Sequence, residues 1–162
     1  LFLYDNGVEH VLATTVHKTE REIYAQVLRN PILSPLGDYV VTDMFGWEWG
    51  SAWVFDANTH EKILDADSAT ITFTQDEKHM IACASNDFGG VYYGEVYSLP
   101  AMGKLFDLAE SAGVTEPYSL FNVTCSFNED ETTVNFTYQL YSRETWKSED
   151  QTYATTFDLP QT

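Results

Sequence analysis

The sequence predicts a mainly β protein built from antiparallel four-stranded units, on two observations. Runs of alternating or β-branched apolar residues have the length of single strands, and clusters of turn-forming residues separate them. Two short sequence elements also recur with a spacing of about 40 residues, which is typical of repeated four-stranded units. The predicted strands lie at residues 8–16, 39–42, 52–55, 70–74, 80–84, 91–97, 122–127, 133–141 and 153–157.

The first repeated element is a polar turn between two apolar strands. It occurs in residues 32–41, again 40 residues later in 72–81, and a third time, 54 residues further on, in 126–134. Such clusters of Ser, Pro, Gly, Asn and Asp favour tight turns because they accept backbone conformations and hydrogen bonds that other residues disfavour. The three turns are Ser34-Pro35-Leu36-Gly37-Asp38, Thr74-Gln75-Asp76-Glu77 and Asn128-Glu129-Asp130-Glu131.

The second repeated element is a strand that ends in an aromatic residue and a polar turn. Val54–Asp65 aligns without a gap with Val96–Asp107, 42 residues later, and Leu3–Gly7 and Phe157–Pro160 match its first half. Two interleaved elements of this spacing fit one four-stranded unit per repeat. We therefore expect a single domain over residues 1–162, with units at about 1–30, 31–68, 69–113 and 114–162.

These elements resemble the repeats of β-propellers of the WD40-like kind. In that family an inner strand ends in a Ser-Pro-Asp-Gly-type turn, matched here by Ser34-Pro35-Leu36-Gly37, and a later strand ends in an aromatic residue and Asp, matched by Val54-Phe55-Asp56. The resemblance implies blade-like sheets over about residues 30–160. About three units are too few for a closed ring, because propellers use about four to eight blades. We therefore expect an open or partial β-propeller, with a β-sandwich as the alternative and with open sheet edges able to self-associate.

Two segments carry helix signals. Thr19–Glu22 forms a capping box followed by apolar residues at helical spacing and by Pro31, which predicts one short helix near residues 19–29. Apolar residues within 102–109, followed by Gly113, also fit a helix with a glycine cap. In that second segment the repeat register favours a strand for the first half.

The charge balance is strongly acidic. Twenty-five acids and eight bases give a formal charge of −17 at pH 7, and residues 31–162 hold 21 of those acids but only five of those bases. This balance argues against nucleic acid and anionic membranes as direct partners, because both require a Lys- and Arg-rich surface. The acids serve either solubility or attraction of a basic protein.

Two glycine-, acid- and aromatic-rich segments form the predicted aromatic–acidic surface. Aromatic side chains dominate binding hot spots, and neighbouring acids attract Arg or Lys of a partner by ion pairing and cation–π contact. Each segment is expected to join the second and third strands of its unit, while Trp53 is expected in the core. The partner-binding candidates are Asp43, Phe45, Trp47, Glu48, Trp49, Asp87, Phe88, Tyr92, Tyr93 and Glu95.

Both cysteines, Cys83 and Cys125, lie inside apolar runs. A buried thiol behaves as a small hydrophobic group, so we predict two free thiols, with a single disulfide as the alternative. Free thiols favour a reducing compartment and therefore a cytoplasmic location, with a secreted or periplasmic location as the alternative.

No motif for catalysis, metal binding or cofactor binding emerges. The four histidines lack ligand spacing, the acid clusters read as solvated turns, and we take Gly94 for a hairpin glycine. We therefore predict a protein that is not an enzyme, has no cofactor, and binds a basic protein partner. An immunity-type inhibitor of a nuclease-like toxin is the most concrete version. The alternatives are a scaffold or part of a larger propeller complex, and a hydrolase that uses paired carboxylates.

Overall fold

The computed structural model describes residues 2–5, 8–12, 27–45, 50–86 and 91–160. In these residues β-strands predominate and the three four-stranded sheets are antiparallel, so the predicted fold class is confirmed. The strands are β1 (Phe2–Asp5), β2 (Val8–Val11), β3 (Val27–Leu33), β4 (Tyr39–Phe45), β5 (Gly50–Asp56), β6 (Lys62–Asp67), β7 (Ala69–Phe73), β8 (His79–Asn86), β9 (Val91–Ser98), β10 (Gly103–Asp107), β11 (Tyr118–Phe127), β12 (Thr133–Ser142), β13 (Lys147–Ser148) and β14 (Tyr153–Asp158).

The first compact unit is Leu1–Ser68. Its strands β1 and β2 pair as a two-stranded ribbon, and β3, β4, β5 and β6 form a sheet in chain order. Val40 and Thr42 on β4 are buried, as are Ala52 and Val54 on β5. Paired residues of antiparallel strands point to the same face, and Val40 pairs with Phe55. Val40 and Thr42 therefore lie on one face of the sheet and Ala52 and Val54 on the other, so both faces carry buried side chains.

The second compact unit is Ala69–Thr162, and it contains two sheets. Strands β7, β8, β9 and β10 form the first sheet in chain order. In the second sheet β11 pairs with one side of β12, while β13 and β14 both pair with the other side. Because β13 and β14 share one side of β12, this second sheet is only three strands wide.

The core of the second unit is shared by its two sheets. Ile81 and Val96 from the first sheet are buried in one cluster with Val134 and Phe136 from the second. The Phe106 ring of β10 lies 4.9 Å from the Phe136 ring, measured between centroids. The two sheets of this unit are therefore held together by apolar packing, the main favourable contribution to folding.

A disulfide between Cys83 and Cys125 joins β8 to β11 and corrects the prediction of two free thiols. The Cα atoms are 6.0 Å apart, a separation typical of disulfides. The prediction was wrong because free thiols and disulfides both occur in apolar runs, so the local sequence does not distinguish them. Only the packing of the two sheets brings these two cysteines together. The disulfide also removes the observation that favoured a reducing, cytoplasmic location.

Gly94 is a buried residue within β9 rather than a hairpin glycine. It pairs with Cys83, and a Cβ atom at this position would lie 2.9 Å from the Phe136 ring and 3.1 Å from the Cys125 sulfur. Only glycine leaves room for the ring and the disulfide here.

The three predicted turns share one hydrogen-bond pattern. The first residue of each turn, Ser34, Thr74 or Asn128, uses its side-chain oxygen to accept a hydrogen bond from the backbone N–H five residues later, at 2.9–3.1 Å. The fourth residue has positive φ in all three turns: 90° at Gly37, 52° at Glu77 and 51° at Glu131. The sequence repeat is therefore also a structural repeat.

A second hydrogen bond repeats in each of the three four-stranded sheets and shows which of their strands are equivalent. The backbone N–H groups of Ala57, Leu99 and Leu159 donate to the carbonyls of Asp38, Lys78 and Thr132, respectively, each at 2.8 Å. These donors directly follow β5, β9 and β14. We call these three strands the third-position strands of their sheets.

The helix predictions have different outcomes. Leu108–Ser111 forms the helix α1, and Asp107 caps it by accepting hydrogen bonds from the N–H groups of Ala109 and Glu110. Residues 103–107 form β10, as the repeat register favoured. Of the helix predicted near residues 19–29, residues 19–26 lie outside the described residues, and the last three belong to β3.

Candidate functional site

The predicted aromatic–acidic surface is described only in part. Asp43 is exposed on β4, and Phe45 is the last residue of that strand. Trp47, Glu48, Trp49, Asp87 and Phe88 lie outside the described residues. The remaining candidates, Tyr92, Tyr93 and Glu95, lie on β9.

The two tyrosines on β9 are half-buried. The Tyr92 ring lies 5.0 Å from the Phe121 ring and packs against the core of the second unit. Tyr93 pairs with Ala84 of β8. Tyr92 therefore contributes to packing, a role that strand alternation alone does not distinguish from surface exposure.

Glu95 belongs to an internal network with Tyr97, Lys104 and Asp107. Its carboxylate accepts hydrogen bonds from the Tyr97 hydroxyl and the Lys104 ammonium, and Lys104 also contacts Asp107 at 3.2 Å. The hydrogen bond to Glu95 raises the pKa of Lys104, and burial together with Glu95 raises the pKa of Tyr97. The Glu95 charge is thus already neutralised within its own sheet.

Trp53 is half-buried rather than fully in the core and forms a similar network in the first unit. The Lys62 ammonium lies 4.2 Å from the Trp53 ring centroid and 2.6 Å from the Asp65 carboxylate. Burial opposes ionisation of Asp65, but hydrogen bonds from Lys62 and Ser51 outweigh it and lower the pKa of Asp65. An aromatic ring and an acid therefore hold a cation, as predicted for partner binding, but the cation belongs to this chain.

Most of the Lys and Arg residues of 50–86 and 91–160 form such internal pairs. Among the five Lys and Arg residues of 50–86 and 91–160, four form ion pairs: Lys62, Lys78, Lys104 and Arg143. Exposed acids such as Asp130, Asp150 and Asp158 are far more numerous than the cations. The net negative charge is therefore carried by the surface.

An acidic groove lies in the second unit, between the turns 74–79 and 128–133. We call it the turn groove; its volume is about 260 Å³. The Glu131 carboxylate spans the two turns by accepting a hydrogen bond from the Gln75 N–H at 2.7 Å. The residues that line the groove are Gln75, Asp76, Lys78, His79, Asp130, Glu131, Thr132, Leu159 and Pro160.

The charges in the turn groove favour a cation. Three carboxylates, those of Asp76, Asp130 and Glu131, face a single ammonium, that of Lys78, which pairs with Asp76 at 3.6 Å. His79 is only 7% exposed, and burial lowers its pKa, so its imidazole is neutral at pH 7. Sequence analysis interprets the acids of 128–131 as a solvated turn and identifies Asp76 only as part of the turn 74–77. The turns 74–77 and 128–131 are copies of one sequence repeat, and this repetition was the sequence signal that their acids lie side by side.

Other site chemistries find little support among the residues that the structure describes. No cluster of three His, Cys, Asp or Glu side chains is arranged to hold a metal ion there. Both cysteines are in the disulfide, so neither offers a thiol nucleophile. No helix within the described ranges is long and apolar enough to cross a membrane.

The chain was compared with known proteins. No protein-family model and no curated protein matches it. Similar solved structures include Kuenenia stuttgartiensis hydrazine synthase (14% identity, TM-score 0.46, covering 79% of this chain and 38% of that one). They also include the β-propeller domain of the Trilobed protease from Pyrococcus furiosus (13%, 0.42, 80% and 43%) and the Myceliophteria thermophila Cps50 (Swd1) β-propeller domain (13%, 0.42, 90% and 50%). The chain thus resembles β-propeller domains, as its repeats indicated, and its matches span at most half the length of these chains.

Proposed function

We propose that this chain is a non-enzymatic protein-binding module whose acidic surface engages a basic protein. The observation that carries the proposal is the turn groove, where three carboxylates face one ammonium that is already paired. Charge-assisted hydrogen bonds to carboxylates are about twice as strong as neutral ones, so such a groove favours an Arg or Lys side chain of a partner.

The wider surface supports the same partner. With four of the five Lys and Arg residues of 50–86 and 91–160 in internal pairs, the remaining exposed acids of these ranges produce a field of one sign. Such a field accelerates encounter with a basic protein and disfavours acidic ones. The excess negative charge therefore raises the rate of association with basic proteins and favours them over acidic partners.

An immunity-type inhibitor is the most specific version of this function. A nuclease-like toxin must present Lys and Arg to bind phosphate, so an acidic protein of this size would compete for that surface. Charge and size are the support for this version. A scaffold within a larger propeller is a second candidate, favoured by the length of the similar structures, of which this chain spans at most half.

An octa-arginine peptide is a suitable probe for the turn groove. We expect Asp130→Lys to weaken its binding about tenfold, because the variant places a cation among the carboxylates of the groove. Glu144→Lys makes the same charge change at an exposed loop residue outside the groove, and should weaken binding only about twofold. Equal effects of the two variants would mean that the peptide senses net charge alone and would overturn the role of the groove.

The same peptide tests the part of the predicted aromatic–acidic surface that lies outside the described residues. Trp47→Ala combined with Glu48→Lys should weaken binding more than tenfold if these residues form a hot spot. Unchanged affinity would remove them from the binding surface.

A further inference from the structure

Among the residues that the structure describes, the second sheet of the second unit has no strand at the position that β6 and β10 occupy in the other two four-stranded sheets. The third-position strands β5 and β9 are covered on their outer edges by β6 and β10. The equivalent strand β14 pairs with β12 on one side, and no strand in the described ranges pairs with its other edge. Within the described part of the chain, the outer edge of β14 is therefore unpaired at the place where its two counterparts are paired.

This edge also lacks the features that protect sheet edges. Natural edges carry Lys, Pro or bulges that discourage pairing with other chains. β3 contains Pro31 and a register shift, and β10 contains Lys104 and a register shift. β14 contains neither Lys nor Pro, and its six residues pair with β12 in unbroken register. It is thus competent to accept a further strand.

The two strands that cover the equivalent edges share a sequence. β6 begins with Lys62-Ile63-Leu64-Asp65, and β10 contains Lys104-Leu105-Phe106-Asp107. In both, the pairing shifts by one residue directly after the Lys, and the Lys forms an ion pair with the Asp three residues later. A Lys-apolar-apolar-Asp segment with one bulge is therefore the strand that fits a third-position edge.

The register follows from the same equivalence. Lys62 and Lys104 lie opposite Phe55 and Tyr97, which correspond to Phe157 of β14. Asp65 and Asp107 lie opposite Trp53 and Glu95, which correspond to Thr155. An added strand would thus place its Lys opposite Phe157 and its Asp opposite Thr155.

We propose that the open edge of β14 binds an extended segment of a partner protein with the sequence Lys-apolar-apolar-Asp, as an added antiparallel strand. Exposed Asp150 precedes β14 and exposed Asp158 is its last residue, so a partner that is basic around this segment is favoured by charge. The basic character of the partner rests on the proposed function, whereas the strand addition does not. Main-chain hydrogen bonds supply affinity in this mode of recognition, and the side chains supply specificity.

A peptide with the sequence of residues 101–109, which contains the Lys-apolar-apolar-Asp motif of β10, tests the proposal. We expect it to bind the intact chain, and the same peptide with Pro in place of Phe106 to bind at least tenfold more weakly, because proline cannot donate to the ladder. The motif carries one positive and one negative charge, so high salt and Asp130→Lys should leave its binding unchanged. If the unmodified chain binds this peptide but not octa-arginine, the acidic groove is overturned and the strand addition is not.

Hydrogen exchange of the unmodified chain locates the bound peptide. Alternate backbone amides of β14 should become protected, while those of β3 and β7 should not change. Protection at other edges, or equal binding of the proline peptide, would overturn the proposal. Dimerisation of the chain through β14 in the absence of peptide would also overturn it, because the occupant would then be a second copy.

Discussion

Cys83 on β8 and Cys125 on β11 form a disulfide that links the two sheets of the second unit across a sequence separation of 42 residues. Closing a loop of this length in the unfolded chain stabilises the fold by about 4 kcal/mol on the chain-entropy view. We expect the double variant Cys83→Ala with Cys125→Ala to lose about this much free energy of unfolding in urea titrations. Reduction of the unmodified protein should have the same effect, and unchanged stability in both would contradict the assignment.

The close approach of Gly94 to Phe136 makes a second prediction. Gly94→Ala places a methyl group 2.9 Å from a buried ring, so we expect a loss of about 1–3 kcal/mol in the free energy of unfolding. Gly103→Ala is the matched control, because its methyl group would meet only the Ser98 hydroxyl, at 3.0 Å, and the loss should be smaller. Equal losses measured by thermal unfolding would contradict this account of Gly94.

The shared hydrogen bond of the repeated turns predicts the effect of removing its acceptor. The Asn128 side chain accepts hydrogen bonds from the N–H groups of Thr132 and Thr133, at 2.8 and 2.9 Å. Asn128→Ala should lower the free energy of unfolding by about 1–2 kcal/mol, and Asn128→Asp should retain most of it because the acceptor remains. If both variants are equally destabilised in urea titrations, the side-chain acceptor is not what stabilises the turn.

Burial of His79 predicts a pH dependence of stability. Burial lowers the pKa of His79 below its ordinary value of 6.5. Of its charged neighbours, Asp76 raises this pKa and Lys78 lowers it. The unfolded chain therefore takes up a proton first as the pH falls below about 6.5, and stability is lost until the pH passes the folded pKa.

His79→Tyr is a matched test of this dependence, because Tyr39 occupies the equivalent position of the first turn. The variant should lose the slope of stability between about pH 7 and 5. The lowered pKa values of Asp65 and Asp76 act only at more acidic pH, since these acids lose their contribution as the pH falls through their folded pKa. If urea titrations at several pH values show the same slope of stability against pH in the variant, the slope arises from groups other than His79.

The sequence was sufficient where structure is local. The turns at Ser34, Thr74 and Asn128 were recognised because their hydrogen bonds join residues five positions apart. The strand at residues 103–107 was favoured over a helix because its aligned repeat reads as a strand. Local turn chemistry and the repeat period are therefore sufficient to predict the four-stranded units.

The candidate site was less predictable because it depends on packing between sheets. The pairing of Cys83 with Cys125, and the place of Gly94 beneath Phe136, arise only when the sheets stack. Strand alternation likewise cannot show that Tyr92 packs against Phe121. The sequence suggests Glu95 as an acid that binds a partner. In the structure Glu95 pairs with Lys104, which lies nine residues later on the neighbouring strand β10.

The central claim is that the acidic surface binds a basic protein through the turn groove, and a titration of the isotope-labelled chain with octa-arginine tests it most directly. At low salt we expect the largest amide chemical-shift changes at Gln75, Lys78 and Thr132, which line the groove, and we expect them to diminish as salt screens the charges. Changes spread evenly over the exposed acids, or none at the groove, would contradict the claim.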